Sequence, residues 1–208
     1  MLIFKAFSAL LSYPSAEMRE ALPEIVELVR ASKLIAPHER AALLDLVEEI
    51  GEGDLLMAEE RYVDLFDRGK ALSLHLFEHL HGDGRDRGVA MVELKALYGA
   101  AGFELSTSEL PDYLPVVLEY LSQRDMAEAR DMLTDCAHIL ASIARSLLAR
   151  QSRYASVPQA LLVIAGEKPV DASEVKPVAE HQPEALDRDW VERPAFDNTA
   201  VPGGGRTM

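Results

Sequence analysis

The sequence predicts an all-α protein, a single globular multi-helix domain followed by a disordered acidic C-terminal tail. Three observations carry this expectation. Apolar residues in positions 1–164 recur at steps of three and four, the period of a core-facing helix stripe. Residues that start and stop helices, such as Ser15, Pro37, Asp54, Gly51 and Gly102, fall between those stripes. No alternating β-branched run of strand length occurs in the 208 residues.

The elements follow in order. Leu2, Phe4, Phe7, Leu10 and Leu11 mark a first amphipathic helix, ended by Pro14. Ser15 caps a second, with Leu22, Ile25, Val26, Leu28 and Val29 as its stripe. Pro23 is expected to break or kink it early, because a proline inside a helix lacks the backbone donor and its ring crowds the preceding turn. Pro37 opens a third helix that carries Leu43, Leu44, Leu46, Val47 and Ile50 up to Gly51. Asp54 caps a fourth, bearing Leu55, Leu56, Tyr62, Leu65 and Phe66. After a break near Gly69, a short helix is expected over 73–80 and a longer one over 87–101, stopped by Gly102. Pro111 opens the next, over 112–122. The stripe Met126, Ala129, Leu133, Cys136, Ala137, Leu140, Ala144 and Leu147 reads as one long helix over 125–150. Leu161–Ile164 adds a last turn or two, and no internal repeat is present.

The domain boundary is placed at 164/165. Residues 165–208 hold five prolines and four glycines, no apolar periodicity and too little apolar surface to offset chain entropy. Trp190, Val191 and Phe196 stand out there; stray aromatics in a solvated tail are the preferred reading, with a short docking motif as the alternative.

Composition narrows the function. Lys plus Arg is 21 and Asp plus Glu is 35, a formal charge of −14, with a sequence pI of about 4.8. Such a chain repels nucleic-acid phosphates and an anionic membrane surface, so a neutral or basic partner is expected. One cysteine, Cys136, excludes an internal disulfide framework and a cysteine-rich metal centre, and its place mid-stripe points to burial. The N-terminus makes a poor signal peptide, since Lys5 and Ser8 interrupt its apolar run. No stretch approaches the ~18 to 20 apolar residues of a membrane span. A soluble cytoplasmic protein is therefore expected.

Enzyme signatures are sparse. There is no Walker loop, dinucleotide fingerprint or Gly-x-Ser-x-Gly elbow, and the glycine-rich run Gly82–Gly88 follows a helical stretch rather than a strand. His75-Leu76-Phe77-Glu78-His79 does fit the inverted zinc-protease pattern, with His81 close behind. On a helix, His75 and His79 would share one face. A zinc hydrolase also needs a third protein ligand and an open cleft. A metal-free helix end rich in hydrogen-bonding groups is the preferred reading.

Three segments, in this order and spacing, are jointly specific: Tyr62-Val63-Asp64-Leu65-Phe66-Asp67, His75-Leu76-Phe77-Glu78-His79-Leu80-His81-Gly82, and Glu109-Leu110-Pro111-Asp112-Tyr113-Leu114-Pro115. Through them the sequence resembles the nitrate reductase delta-subunit proteins (NarJ type), molybdenum cofactor assembly chaperones within the larger group of redox-enzyme maturation proteins. The resemblance runs from about Phe4 to about Leu148. It implies an all-helical, non-enzymatic protein with no cofactor of its own. The implied client is the N-terminal segment of the apo catalytic (alpha) subunit of respiratory nitrate reductase. That segment would be held while molybdenum cofactor and iron–sulfur clusters are inserted, before membrane docking. Contact with cofactor-delivery proteins is a further implied partnership; nucleic acid and direct membrane insertion are not. A client of another kind, a different molybdenum reductase with a twin-arginine leader, is the alternative within the family.

The residues fit such a role independently. A client segment that becomes an amphipathic helix would lay its apolar face in a groove between helices. Tyr62, Leu65 and Phe66 offer anchors at helical spacing, although ordinary core packing is the preferred reading for each taken alone. Leu110, Pro111, Asp112, Tyr113 and Leu114 offer a rigid groove wall, against plain helix-start packing. His75, Glu78 and His79 are placed at the rim, and Arg85, Asp86 and Arg87 are expected to hold the adjoining turn by ion pairs. From Glu39 to Asp67 there are ten acidic and two basic residues, a bias that would steer a basic client. Glu60, Asp64 and Asp67 are the acidic candidates.

Overall fold

A computed structural model describes residues 1–67, 69–80, 85–105 and 109–178, with the backbone alone at 85 and 86. Nine α-helices lie among the described residues: α1 (Leu2–Leu11), α2 (Ala16–Ala31), α3 (Pro37–Gly51), α4 (Leu55–Phe66), α5 (Arg85–Ala100), α6 (Leu114–Ser122), α7 (Met126–Asp135), α8 (Ala137–Ala149) and α9 (Ser156–Ala165). The all-α expectation holds. Helix α1 packs chiefly on α6, α2 on α3, and α7 and α8 on α9. Phe4, Phe7 and Leu10 of α1 join Leu114, Leu118 and Leu121 of α6 in a core that excludes water from all six.

Local chemistry explains four of these helix starts. Ser15 Oγ accepts the Met18 N–H at 3.1 Å, Asp54 accepts that of Leu56, and Asp125 accepts that of Glu128 at 2.9 Å. Pro37 occupies the first turn of α3, where its missing donor costs nothing. At the other end of α9, Gly166 takes φ +91° and lets the Glu167 N–H reach the Leu162 carbonyl at 2.9 Å.

Four expectations need correction. First, of the break or kink expected at Pro23, the break does not occur: α2 runs continuously through it. Met18 and Leu22 before the proline, and Ile25 and Val29 after it, are buried on one face, and that packing outweighs the lost backbone bond. Second, the stretch 125–150 is two helices meeting at Cys136 with a 67° bend. The apolar register continues through the corner, so the pattern conceals it. The Thr134 hydroxyl donates back to the Arg130 carbonyl at 2.8 Å, a contact that weakens the last turn of α7.

Third, residues 73–80 form no α-helix. Two 3-10 turns, Lys70–Leu72 and Leu76–Glu78, flank an extended stretch that makes an antiparallel bridge between His75 and Tyr113. Fourth, the helix after Pro111 starts at Leu114, because the backbone of 112–114 is engaged in that bridge.

The described chain also continues past 164/165. The Gln159 side chain brackets Val170, donating to its carbonyl and accepting from its N–H, both at 2.8 Å, and the Val178 N–H reaches the Ala149 carbonyl. Residues 179–208, with Trp190, Val191 and Phe196, lie outside the described residues. Among those described, no single helix is long and apolar enough to cross a membrane.

Phe7 is fully buried in α1. Phe7→Ala should cost about 3–5 kcal/mol of unfolding free energy, read as a lower urea midpoint at unchanged slope. A loss below about 1 kcal/mol would show that the core does not centre on α1.

Candidate functional site

The site is assembled around Asp112, whose side chain has no exposed surface. A carboxylate so placed must be hydrogen-bonded or paired. Its Oδ2 accepts the Phe77 N–H at 3.1 Å, its Oδ1 faces His75 Nδ1 at 3.3 Å, and the Arg87 guanidinium lies 3.9 Å away. Because the carboxylate only accepts, His75 carries its proton on Nδ1. Arg87 also pairs with Glu78 at 3.3 Å. The backbone adds two bonds: Leu76 N–H to the Asp112 carbonyl at 3.0 Å, and Leu114 N–H to the Leu74 carbonyl at 2.8 Å. From α5, the Tyr98 hydroxyl donates to the Pro111 carbonyl at 2.9 Å.

These contacts set Tyr113 beside α4. The Tyr62 hydroxyl donates to the Leu11 carbonyl at 2.8 Å, which uses its one proton; the Tyr113 hydroxyl, 3.1 Å away, therefore donates to Tyr62. Tyr62 is the hub of an aromatic cluster with Phe66, Tyr13 and Tyr154, at ring separations of 4.8, 5.6 and 6.2 Å. His75 lies against Tyr113 at 5.2 Å. Between these groups opens a cleft of about 290 Å³, lined by Tyr13, Tyr62, Phe66, Asp67, Ser73, Leu74, His75 and Tyr113. Burial foremost, and the neighbouring Tyr113 after it, pushes the Tyr62 hydroxyl far above the ordinary tyrosine range. Desolvation also raises Tyr13 and Tyr113, with help from the charges of Asp67 on both, Glu59 on the first and Glu109 on the second.

The sequence-predicted residues divide accordingly. Tyr62, Phe66, His75 and Tyr113 line the cleft and Asp112 fixes its wall. Asp64 is exposed on α4. Leu65 is half-buried against the core, and Leu114 and Pro111 are buried. Leu110 is 47% exposed. Glu78 and Arg87 pair beside the Asp112 clasp. The side chains of Arg85 and Asp86, and residue 81, lie outside the description.

The zinc alternative is not supported by the geometry. His75 and His79 do not share a helix face, and His79 Nε2 donates to the Ser73 carbonyl at 2.8 Å, so that nitrogen is not a free ligand. Among the described residues, no three His, Cys, Asp or Glu side chains gather where an ion would sit. Cys136 is buried, and burial pushes its thiol up to about 12, which keeps it inert.

The family model described as "Nitrate reductase delta subunit" matches residues 14–157, most of the chain. The chain belongs to this family. It is 42% identical over 190 residues, 89% of this chain and 80% of the relative, to the Escherichia coli K12 protein named "Nitrate reductase molybdenum cofactor assembly chaperone NarJ". It is 35% identical over 196 residues to the same organism's "Probable nitrate reductase molybdenum cofactor assembly chaperone NarW", covering 92% of this chain and 82% of that one. The Bacillus subtilis "Probable nitrate reductase molybdenum cofactor assembly chaperone NarJ" is 32% identical over 159 residues, 76% and 85% of the two chains.

Tyr13, Ser73, Leu74 and Tyr98 belong to the site or its supports but are not among the residues the sequence singles out. Tyr13 stands between two helices, where no periodicity applies, and Ser73 and Leu74 fall in a stretch misread as helical. Tyr98 has a signal in hindsight. It is a large aromatic with a polar tip on a weakly amphipathic helix, the type of residue that seeks a buried acceptor.

Two outcomes follow from the buried hydroxyls. Tyr62→Phe leaves the Leu11 carbonyl without its donor and should cost about 1–2 kcal/mol in a denaturant titration; no change would mean water replaces the bond. Tyr62, Tyr98 and Tyr154 all have folded pKa values raised from 10.0, mainly by burial. Below 10.0 both states keep these protons and stability is intact. Above it only the unfolded chain releases them, so stability must fall as pH rises from 10.0 toward the folded values. Beyond the contribution of the exposed Tyr13, phenolate absorbance should appear together with loss of helicity; ionisation of these three at the ordinary value in a chain still helical would contradict their burial.

Proposed function

We propose that this protein is a dedicated assembly chaperone for the catalytic (alpha) subunit of respiratory nitrate reductase, and that it captures that subunit's N-terminal segment in the cleft beside Tyr62 and Tyr113. Family membership makes the chain an assembly chaperone rather than an enzyme. The observation that supports peptide capture is the cleft itself, an aromatic-walled opening whose sides are locked by the Asp112 clasp and by the Tyr62–Tyr113 pair. A preformed wall lowers the ordering cost of binding.

In this reading an amphipathic client segment places its apolar side chains on the rings and on the exposed Leu110 at the adjoining turn. The acidic run from Glu39 to Asp67 steers a basic segment toward the site and adds rate more than affinity. Capture is reversible and lasts until the molybdenum cofactor and iron–sulfur clusters are in place in the cytoplasm, before the subunit meets its membrane partner. The chain supplies no redox chemistry to that insertion; it holds the client competent for it.

Calorimetric titration with a synthetic peptide of the client's N-terminal segment, beside a scrambled control, tests the reading. Selective binding with a negative heat-capacity change is the expected result, and equal behaviour of the two peptides would sink it. Leu110→Glu should weaken binding about tenfold while leaving the helical circular-dichroism signal unchanged. Leu114 is unsuitable for this test, because it is fully buried and a charge there would unfold α6.

A further inference from the structure

We propose that the cleft takes one basic side chain, lysine or arginine, of the captured segment, with its stem on the Tyr13, Tyr62 and Tyr113 rings and its charge at the Asp67 carboxylate. This rests on the peptide-capture reading and names what the pocket selects. Three observations carry it.

The first is the chemistry of the walls. Tyr13, Tyr62, Phe66 and Tyr113 make the lining largely aromatic, and π-faces attract cations as well as alkyl stems. Among the described lining residues Asp67 is the one carboxylate, and none is lysine or arginine. The nearby Arg87 is already engaged with Glu78 and Asp112.

The second is helix polarity. Helix α4 ends at Phe66 and Asp67 is its C-cap, so the partial negative charge of the last carbonyls adds to that of the carboxylate at the same edge of the cleft. The third is the cost of the alternative. A purely apolar occupant would cover Asp67 and leave its charge unpaired, whereas an ammonium or guanidinium pairs it. The carboxylates of Glu59 and Glu109 act on the Tyr13 and Tyr113 hydroxyls, so the surrounding field has the same sign.

The test uses the full chain and a synthetic peptide of the client's N-terminal segment. In a series of analogues, each lysine is replaced singly by norleucine and each arginine by citrulline. One analogue should bind about tenfold more weakly than the parent, and against Asp67→Asn that difference should shrink to about twofold. Asp67 is exposed and closes α4 through its backbone N–H to Val63, so Asp67→Asn should melt like the unaltered chain. If the parent peptide does not bind, the capture reading itself fails. If it binds, but every analogue binds equally or the loss persists in Asp67→Asn, the basic-residue pocket is overturned and capture stands.

Discussion

A carboxylate sealed from water is the constraint on which this architecture turns. Asp112 has no exposed surface, so its two oxygens must be satisfied by protein groups. They are met from outside their own segment: the Phe77 N–H and His75 Nδ1 from the loop before α5, and Arg87 from α5 itself. Meeting that demand draws 74–78 against 110–114, forces the loop out of helical geometry and delays the start of α6. It also fixes Tyr113, which reaches Tyr62 and thereby ties the loop region to α1 through the Leu11 carbonyl. The cleft is what remains open once these obligations are met.

This arrangement explains which features could be read from the sequence. Helices α1 to α4 have their starts and stripes encoded within a few residues of each other, so Ser15, Pro37 and Asp54 were legible. The non-helical stretch around His75 was not, since the Leu76 and Phe77 N–H groups and the Leu74 carbonyl bond to partners 35 or more positions away in the chain. The corner at Cys136 escaped for another reason: apolar periodicity records which face is buried and says nothing of axis direction. Pro23 misled because its local penalty is real but is overruled by burial on both sides. The family motifs were visible as motifs, though not as a unit. The histidine-rich and proline-rich segments are each weak alone, and the His75–Asp112 contact shows the physical bond between them.

The site also separates two physical roles that the acidic composition blurs. Most carboxylates on α3 and α4 face water and act over distance, where salt screens them. Asp67, the C-cap of α4, is the one carboxylate among the described residues that line the cleft. A charge at a partly enclosed aromatic wall acts at short range and discriminates between side chains, which a diffuse field does not do.

Helix α5 has one further implication. Tyr98 is its one buried side chain among those described, Leu94 packs partly, and Val89, Val92 and Leu97 stand exposed. Among the described contacts, a helix with so little buried apolar surface is held chiefly through Tyr98, which also packs on Phe103 and Tyr120, and through Arg87 near its other end. Its opening is thermodynamically separable from that of the α1–α6 core and lies at the low end of the molecule's ladder of local unfolding free energies. Because both attachments anchor on Pro111 and Asp112, loosening α5 and loosening the cleft wall are linked events, and anything that stabilises the closed wall also slows amide exchange along α5.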